Sequence, residues 1–397
     1  MIKEKITGIF ARTSKVCAVL IAPAIVLSTS ATNILFLTTV VFNLAAGKWR
    51  TKFNQITYNP IVIIFFLFYA LFIVGALYST APWPDVWLML RKYAKFFLAI
   101  LFLPLFTEAK WRNYAINAFL AAIFIMLLAS YLKSFGWLSF GAGYGVVEIF
   151  KRSIEFNFLM AFAAYLCLIK IVTRRHFRWL WGIFFVLIVQ TILFRSTGRS
   201  GYFVFLGLMG LFFWQKLSWR GLFIVMFGVL VLFGLTFSFS PVYKDRIRIA
   251  FNEAKTYQQN DDTSVGIRMA FVENGLRLIK ANPIFGTGTG SFAQEYTIAY
   301  PDHPSRAYRN PHNEYIHITV QFGILGLLVL LLLFGVPIWY SRLLPQELQY
   351  IVRGAVLGIA LGCLANSWLL DTTEGHFYAY FTMLAFAALP RTKKQIN

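Results

Sequence analysis

Along the chain, long apolar runs alternate with short polar links, and the spacing of the links predicts the elements. A hydrocarbon core about 30 Å thick takes roughly 20 apolar residues in a helix, so runs of that length bounded by charge, Gly or Pro read as spans. Twelve fall near residues 15–30, 32–47, 59–78, 87–106, 112–133, 154–173, 178–194, 200–215, 219–239, 315–340, 350–370 and 374–390. The first two are divided only by the uncharged stretch Ser28 to Asn33, with basic residues beyond both ends, and so form a hairpin that returns to its starting side. The expected class is an all-α polytopic membrane protein with about twelve transmembrane helices. Residues 1–239 carry spans one to nine, 240–314 one large external loop with helices of its own, and 315–397 spans ten to twelve with a short tail.

The links also orient the spans. Lys48, Arg50 and Lys52, then Lys110 and Arg112, then Arg174, Arg175 and Arg178, then Lys216 and Arg220, then Arg342, and finally Arg391, Lys393 and Lys394 share a side with the N-terminus. The excess of Lys and Arg makes that side cytoplasmic, with both termini on it. The alternate links at 79–85 and 371–375 hold no Lys or Arg. Lys3, Lys5, Arg12 and Lys15 precede the first run, but no small-residue cleavage site follows, so that run is expected to stay as a helix.

Composition agrees with the pattern. The chain has 397 residues, 58% hydrophobic and 13% charged, with a mean hydropathy of +0.65, which excludes a water-soluble globule. A net charge of +21 would suggest a nucleic-acid partner in a soluble protein; here much of it is topology signal, and no nucleic acid is expected. Cys17, Cys167 and Cys363 lie in apolar runs without CxxC spacing, so neither disulfides nor a thiolate metal site are indicated.

Three outer features break the charge rule. Arg195 and Arg199 sit in a short turn between spans seven and eight, Arg91, Lys92 and Lys95 enter span four from its outer end, and the loop 240–314 carries more cations. Cations at membrane depth cost free energy, so a cluster on one face suggests an anionic ligand; for Arg91, Lys92 and Lys95, snorkelling to lipid headgroups is the alternative. Within the loop, Pro241 to Gln259 reads as an amphipathic surface helix. A second helix, with Ser264 as its cap, runs to Ala281 before Asn282 and Pro283 stop it, and brings Arg268, Arg277 and Lys280. The stretch Gly286 to Gly290 lacks the lysine of a nucleotide loop; a hinge is the expectation, ahead of a nest of amides facing a diphosphate. His176 falls on the cytoplasmic side, and His303 and His376 on the outer side. His312 and His317, five residues apart, do not match a zinc helix. Asn310 is expected to cap span ten and Pro311 to open it, placing His312 in the first turn, where the helix dipole disfavours imidazolium; a neutral general base is one reading there, and a His merely hydrogen-bonded at a helix start is the alternative.

The run from Asn310 to Gly326 resembles the signature of the O-antigen ligase and polymerase superfamily: His312, then Asn313, nine residues, Gly323 and a second Gly326. The turn Arg195-Ser196-Thr197-Gly198-Arg199-Ser200-Gly201 is similar to the family's turn with a functional Arg, best matched by Arg199, although Arg195 makes it doubly basic. Residues 266–290 are similar to its loop segment, placing Arg268 on a second functional Arg. The resemblance implies a GT-C-like fold in the bacterial inner membrane with a periplasmic active site. It implies a donor glycan on undecaprenyl diphosphate, a lipid A-core acceptor, and no metal or other cofactor. In the inverting reaction it implies, His312 is the base, Arg199 and Arg268 hold the diphosphate, and Arg195, Arg91, Lys92 and Lys95 are further candidates for it. A polymerase or a protein O-oligosaccharyltransferase shares these motifs; a transporter of the same lipid would also need outer cations, but also repeat symmetry, which the sequence does not show clearly.

Overall fold

The structure, a computed structural model, describes residues 2–139, 141, 147–174, 176–196, 198, 201–216, 263–301 and 309–389, with 223, 234, 248, 249, 252 and 255 besides. The ninth predicted span and the segment Pro241 to Gln259 fall almost wholly outside the described residues. Arg175, Arg199, Arg220, His303 and the basic tail Arg391, Lys393 and Lys394 fall there too.

All regular structure among the described residues is helical. The helices are α1 (Ile2–Leu27), α2 (Thr29–Ala45), α3 (Trp49–Thr57), α4 (Pro60–Ala76), α5 (Trp83–Ala99), α6 (Ala109–Ser134), α7 (Ser153–Thr173) and α8 (Arg178–Phe194). They continue with α9 (201–216), α10 (Ser264–Ala281), α11 (Phe292–Ala299), α12 (Glu314–Ser341), α13 (Gln346–Gly362) and α14 (Thr372–Phe386). The expected hairpin forms: Ser28 ends α1 and caps α2, its side chain accepting the Ala31 amide at 3.2 Å. By length and composition α1, α6, α7 and α12 are each able to cross a membrane, and α3 and α4, bent by 89°, pass the same test taken together. The bend has a cause in sequence: Asn59 caps α4, Pro60 opens it, and the chain before Pro is pushed out of helix. α2 and α8, at 17 residues, are the shorter apolar helices.

α7 and α14 form the centre, with Phe156 to Leu166 of α7 and Thr373 to Phe386 of α14 buried throughout. Around them Ile63, Phe66, Ile73, Val186, Leu328 and Leu331 point outward, as a lipid-facing surface requires and a water-facing one does not tolerate.

Contacts between helix ends reproduce the alternation expected from charge. At one end, Lys15 pairs with Glu108 at 2.6 Å, Asn59 Nδ2 donates to the Phe386 carbonyl at 2.9 Å, and Lys170 pairs with Glu347. At the other, Lys151 Nζ bridges Thr29 at 3.0 Å and Thr373 at 2.8 Å, and the Glu314 amide donates to the Cys363 carbonyl at 2.9 Å.

Two expectations about span ten need correction. The helix is not continuous: Gly323, at φ 61° and ψ −156°, breaks it. Nor does it start at Pro311; α12 begins at Glu314, and its cap is Asn313, whose Oδ1 accepts the Ile316 amide at 3.1 Å. His312 adopts a left-handed φ of 49°, which a helix cannot contain, and this moves the start downstream. Asn310 instead caps the turn before it, accepting the His312 amide at 3.0 Å. Likewise α10 is capped by Thr263 rather than Ser264, through a 3.0 Å bond from the Gly266 amide.

Candidate functional site

The break at Gly323 organises one side of the site. Without an i→i−4 ladder there, the carbonyls of Val320 and Gln321 and the amide of Ile324 need other partners. The glycine stretch supplies them: Thr287 N donates to Val320 O at 3.1 Å, Gly288 N to Gln321 O at 2.8 Å, and Ile324 N to Pro283 O at 2.8 Å. Gly290 N donates to Gln321 Oε1 at 2.6 Å and Thr289 N to Gly75 O at 3.1 Å. Neither the hinge nor the phosphate nest survives, because these amides are spent on protein acceptors. A Cβ on Gly286 would meet the backbone of Gln321 and Phe322, so only glycine lets the two segments touch. Ser79 and Thr80, from the link after α4, complete the dock by bonding Thr289 O at 2.7 Å and Thr287 O at 3.0 Å.

Above this dock, α10 and α11 pack on the first turns of α12 through Phe271, Phe292, Tyr296, Ile316 and Val320. Gly275 lies against Ile316, and Arg268, two turns earlier on that face, is half-buried. Arg277 is on the opposite face, exposed and paired with Glu273 at 2.6 Å, and Lys280 is exposed as well. Of the three cations expected from this helix, only Arg268 is turned inward.

His312 is half-buried beside Phe271, with ring centroids 6.2 Å apart. Burial pushes its imidazole below the usual histidine range, and the nearby Arg268 charge pushes it further; a hydrogen bond with Asn366 pulls the other way. Because His312 precedes the helix, burial and Arg268, rather than a first-turn dipole, keep it neutral. Asn366 is a residue that sequence reasoning missed, and Asn310 was expected only as a helix cap. Asn310 Oδ1 also accepts from Ser367 at 3.3 Å, and Asn313 Nδ2 donates to Leu364 O at 3.0 Å, so three amides staple the His312 loop to the turn after α13. No local pattern in 362–371 marks that turn as a partner.

The other predicted cations separate. Lys95 is buried and donates to the carbonyls of Leu370 at 3.2 Å and Asp371 at 2.6 Å, a structural task rather than a ligand contact. Arg91 is exposed on the face that carries Trp83 and Trp87, where a snorkelling cation belongs. Lys92 is half-buried on a third side, near His317 and Asp371. Arg195 ends α8 with its guanidinium 4.2 Å from the Tyr131 ring centroid. Arg199 lies outside the described residues; on either side of it, Asn157 Nδ2 donates to Gly198 O at 2.9 Å, and a Cβ on Gly201 would strike Asn157. The next residue, Phe158, packs 4.8 Å from Trp368, two residues from Asn366. Gly198 and Gly201 thus lie against α7 at Asn157, next to the residue that packs on Trp368.

Residues 183–331 match the family described as O-antigen ligase, a stretch that holds the turn, α10, the glycine dock, His312 and Gly323. Over that stretch the chain is similar to the O-antigen ligase superfamily. The superfamily signature then has a physical content: Asn313 caps α12, Gly323 breaks it, and Gly326, whose Cβ would press on Phe322 at 2.5 Å, leaves room for the break. No curated protein matches the chain.

His317, one turn further on, is buried in a different network. Its Nδ1 lies 3.4 Å from the Tyr93 hydroxyl, which donates to Glu314 Oε1 at 2.5 Å. Its ring also meets Phe292 edge-on, with centroids 6.0 Å apart.

Proposed function

We propose that the chain is an O-antigen ligase of about twelve spans and GT-C-like fold, acting at the periplasmic face of the inner membrane. It transfers a glycan from undecaprenyl diphosphate to the lipid A-core acceptor with inversion and without a metal. The observation that carries this reading is His312, half-buried next to Arg268 and oriented by Asn366. In this mechanism an acceptor hydroxyl attacks the anomeric carbon, its proton passes to the free imidazole nitrogen, and the bond to the diphosphate oxygen breaks to release undecaprenyl diphosphate. The Asn366 contact fixes which nitrogen is free. Arg268 and Arg199 hold the departing diphosphate, since a guanidinium fork spans two phosphate oxygens where an ammonium cannot. Lys92 remains a secondary contact for the anionic donor. The packing of Arg195 on Tyr131 favours Arg199 as the ligand-facing cation of its turn.

The test is transfer by purified protein supplied with lipid-linked donor and lipid A-core. His312→Ala should fold and lose transfer by about 10²- to 10⁴-fold, the range of general-base catalysis. Arg199→Lys and Arg268→Lys should recover only part of what Ala removes. Near wild-type turnover by folded His312→Ala would remove the base from the mechanism, and products elongated on the lipid donor instead of on the core would make the enzyme a polymerase.

A further inference from the structure

At the Thr173 end of α7, opposite Asn157, α6 and α8 part to leave a groove of about 700 Å³. Its floor is apolar and aromatic, formed by Phe124 of α6 and by Trp181 and Leu187 of α8. Its rim is basic: Lys170 and Arg174 from the end of α7 and His176 from the link that follows. Glu347 pairs with Lys170 and stands 3.7 Å from Arg174, so one carboxylate faces two cations and the rim keeps a net positive charge. The Arg174 side chain is 54% exposed. The link is held in shape by a 2.7 Å bond from Arg178 Nε to the Arg174 carbonyl and by Phe177 in the left-handed region.

The length of the groove identifies its occupant. From Arg178, where α8 begins, to Leu187 is about 14 Å of helix at 1.5 Å per residue, close to half of a roughly 30 Å hydrocarbon core. A cleft that is cationic at one end and apolar for the depth of one leaflet fits a single lipid with an anionic head. The net positive rim disfavours a headgroup that brings its own ammonium beside Arg174. We propose that this groove binds an acidic phospholipid of the leaflet bordering the Lys- and Arg-rich links, its phosphodiester at Arg174 and His176 and an acyl chain along Trp181 to Leu187. The site lies at the other end of the bundle from His312 and does not depend on the reaction assigned there.

Native mass spectrometry of the full-length protein in mild detergent tests this, with titration by phosphatidylglycerol and by phosphatidylcholine of the same acyl chains. One phosphatidylglycerol should be retained in preference to phosphatidylcholine. Arg174→Ala should weaken it about fivefold, equivalent to ~1 kcal/mol for one surface cation near an anionic lipid. Leu187→Trp, which fills the apolar half, should weaken it without altering charge, and Arg342→Ala, on the same side outside the groove, should leave it unchanged. Equal retention of the two lipids overturns the proposal, as does phosphatidylglycerol binding unchanged in both groove variants. Displacement by inorganic phosphate at millimolar concentration also overturns it, since a simple anion site needs no acyl chain.

Discussion

Replacing Gly323 by Ala puts the broken helix to a direct test. At φ 61° and ψ −156° the backbone occupies a region open essentially to glycine alone, and another residue held there costs about 1–3 kcal/mol. The new Cβ would also collide with the Ile284 carbonyl group and lie 2.7 Å from Phe285 N, backbone that has no rotamer with which to yield. Overpacking of this kind adds roughly 1–3 kcal/mol if the loop stays docked. If instead the loop lifts off, it loses the Thr287–Val320, Gly288–Gln321 and Ile324–Pro283 bonds of 3.1, 2.8 and 2.8 Å. Three bonds at about 1 kcal/mol each give ~3 kcal/mol by that route. The docked route sums to about 2–6 kcal/mol and the undocked one to ~3, and since the chain takes the cheaper of the two the loss is about 2–3 kcal/mol. Gly335→Ala is the matched control, because that glycine lies in the same helix with no neighbour within 4 Å of an added Cβ. Thermal unfolding in detergent should place Gly323→Ala well below wild type and Gly335→Ala at or slightly above it, and protease should cut Gly323→Ala between residues 282 and 291. If the two variants melt together and the loop stays resistant, Gly323 is an ordinary helix residue and the dock described above is wrong.

Arg268→Gln should shift the pH profile of the transfer that remains. Arg268 disfavours the imidazolium, so the wild-type base stays neutral to a pH below about 6.5 and activity rises through that region. Without the cation the rise should move to higher pH, and an unmoved profile would show that Arg268 does not act on His312 through charge. Lys95→Met should lower the melting temperature by the equivalent of about 1.5–3 kcal/mol, since a charged donor to Leu370 and Asp371 is removed, whereas Arg91→Ala should change neither stability nor donor affinity. Weaker donor binding by Arg91→Ala would return that residue to the site. Reporter tags after Lys52 and Arg175 should read as cytoplasmic and a tag near Asp85 as periplasmic; a tag at Asp85 on the same side as Lys52 would break the alternation.

The sequence by itself determined what is local or periodic. Apolar run length marked most helices to within a few residues; Ser28, Asn59 and Pro60 marked the hairpin and the bend, and the basic links sorted helix ends into the groups later joined by Lys15–Glu108 and Lys151–Thr373. His312 and Arg268 were legible as candidates because the motif holds them at fixed spacing. Only the tertiary structure decided which cations lie near His312. Arg91, Lys92 and Lys95 fall within five residues, yet at 100° per residue they point to lipid, to the His317 side and to the carbonyls of Leu370 and Asp371. The glycine stretch looked mobile because its amides had no partners nearby in sequence; those partners are the carbonyls that Gly323 releases more than thirty residues away. Asn366 likewise reaches His312 from the far end of the next helix. A backbone amide or a buried carboxamide is satisfied by whatever the fold brings to it, and a linear sequence records the donor without recording the acceptor.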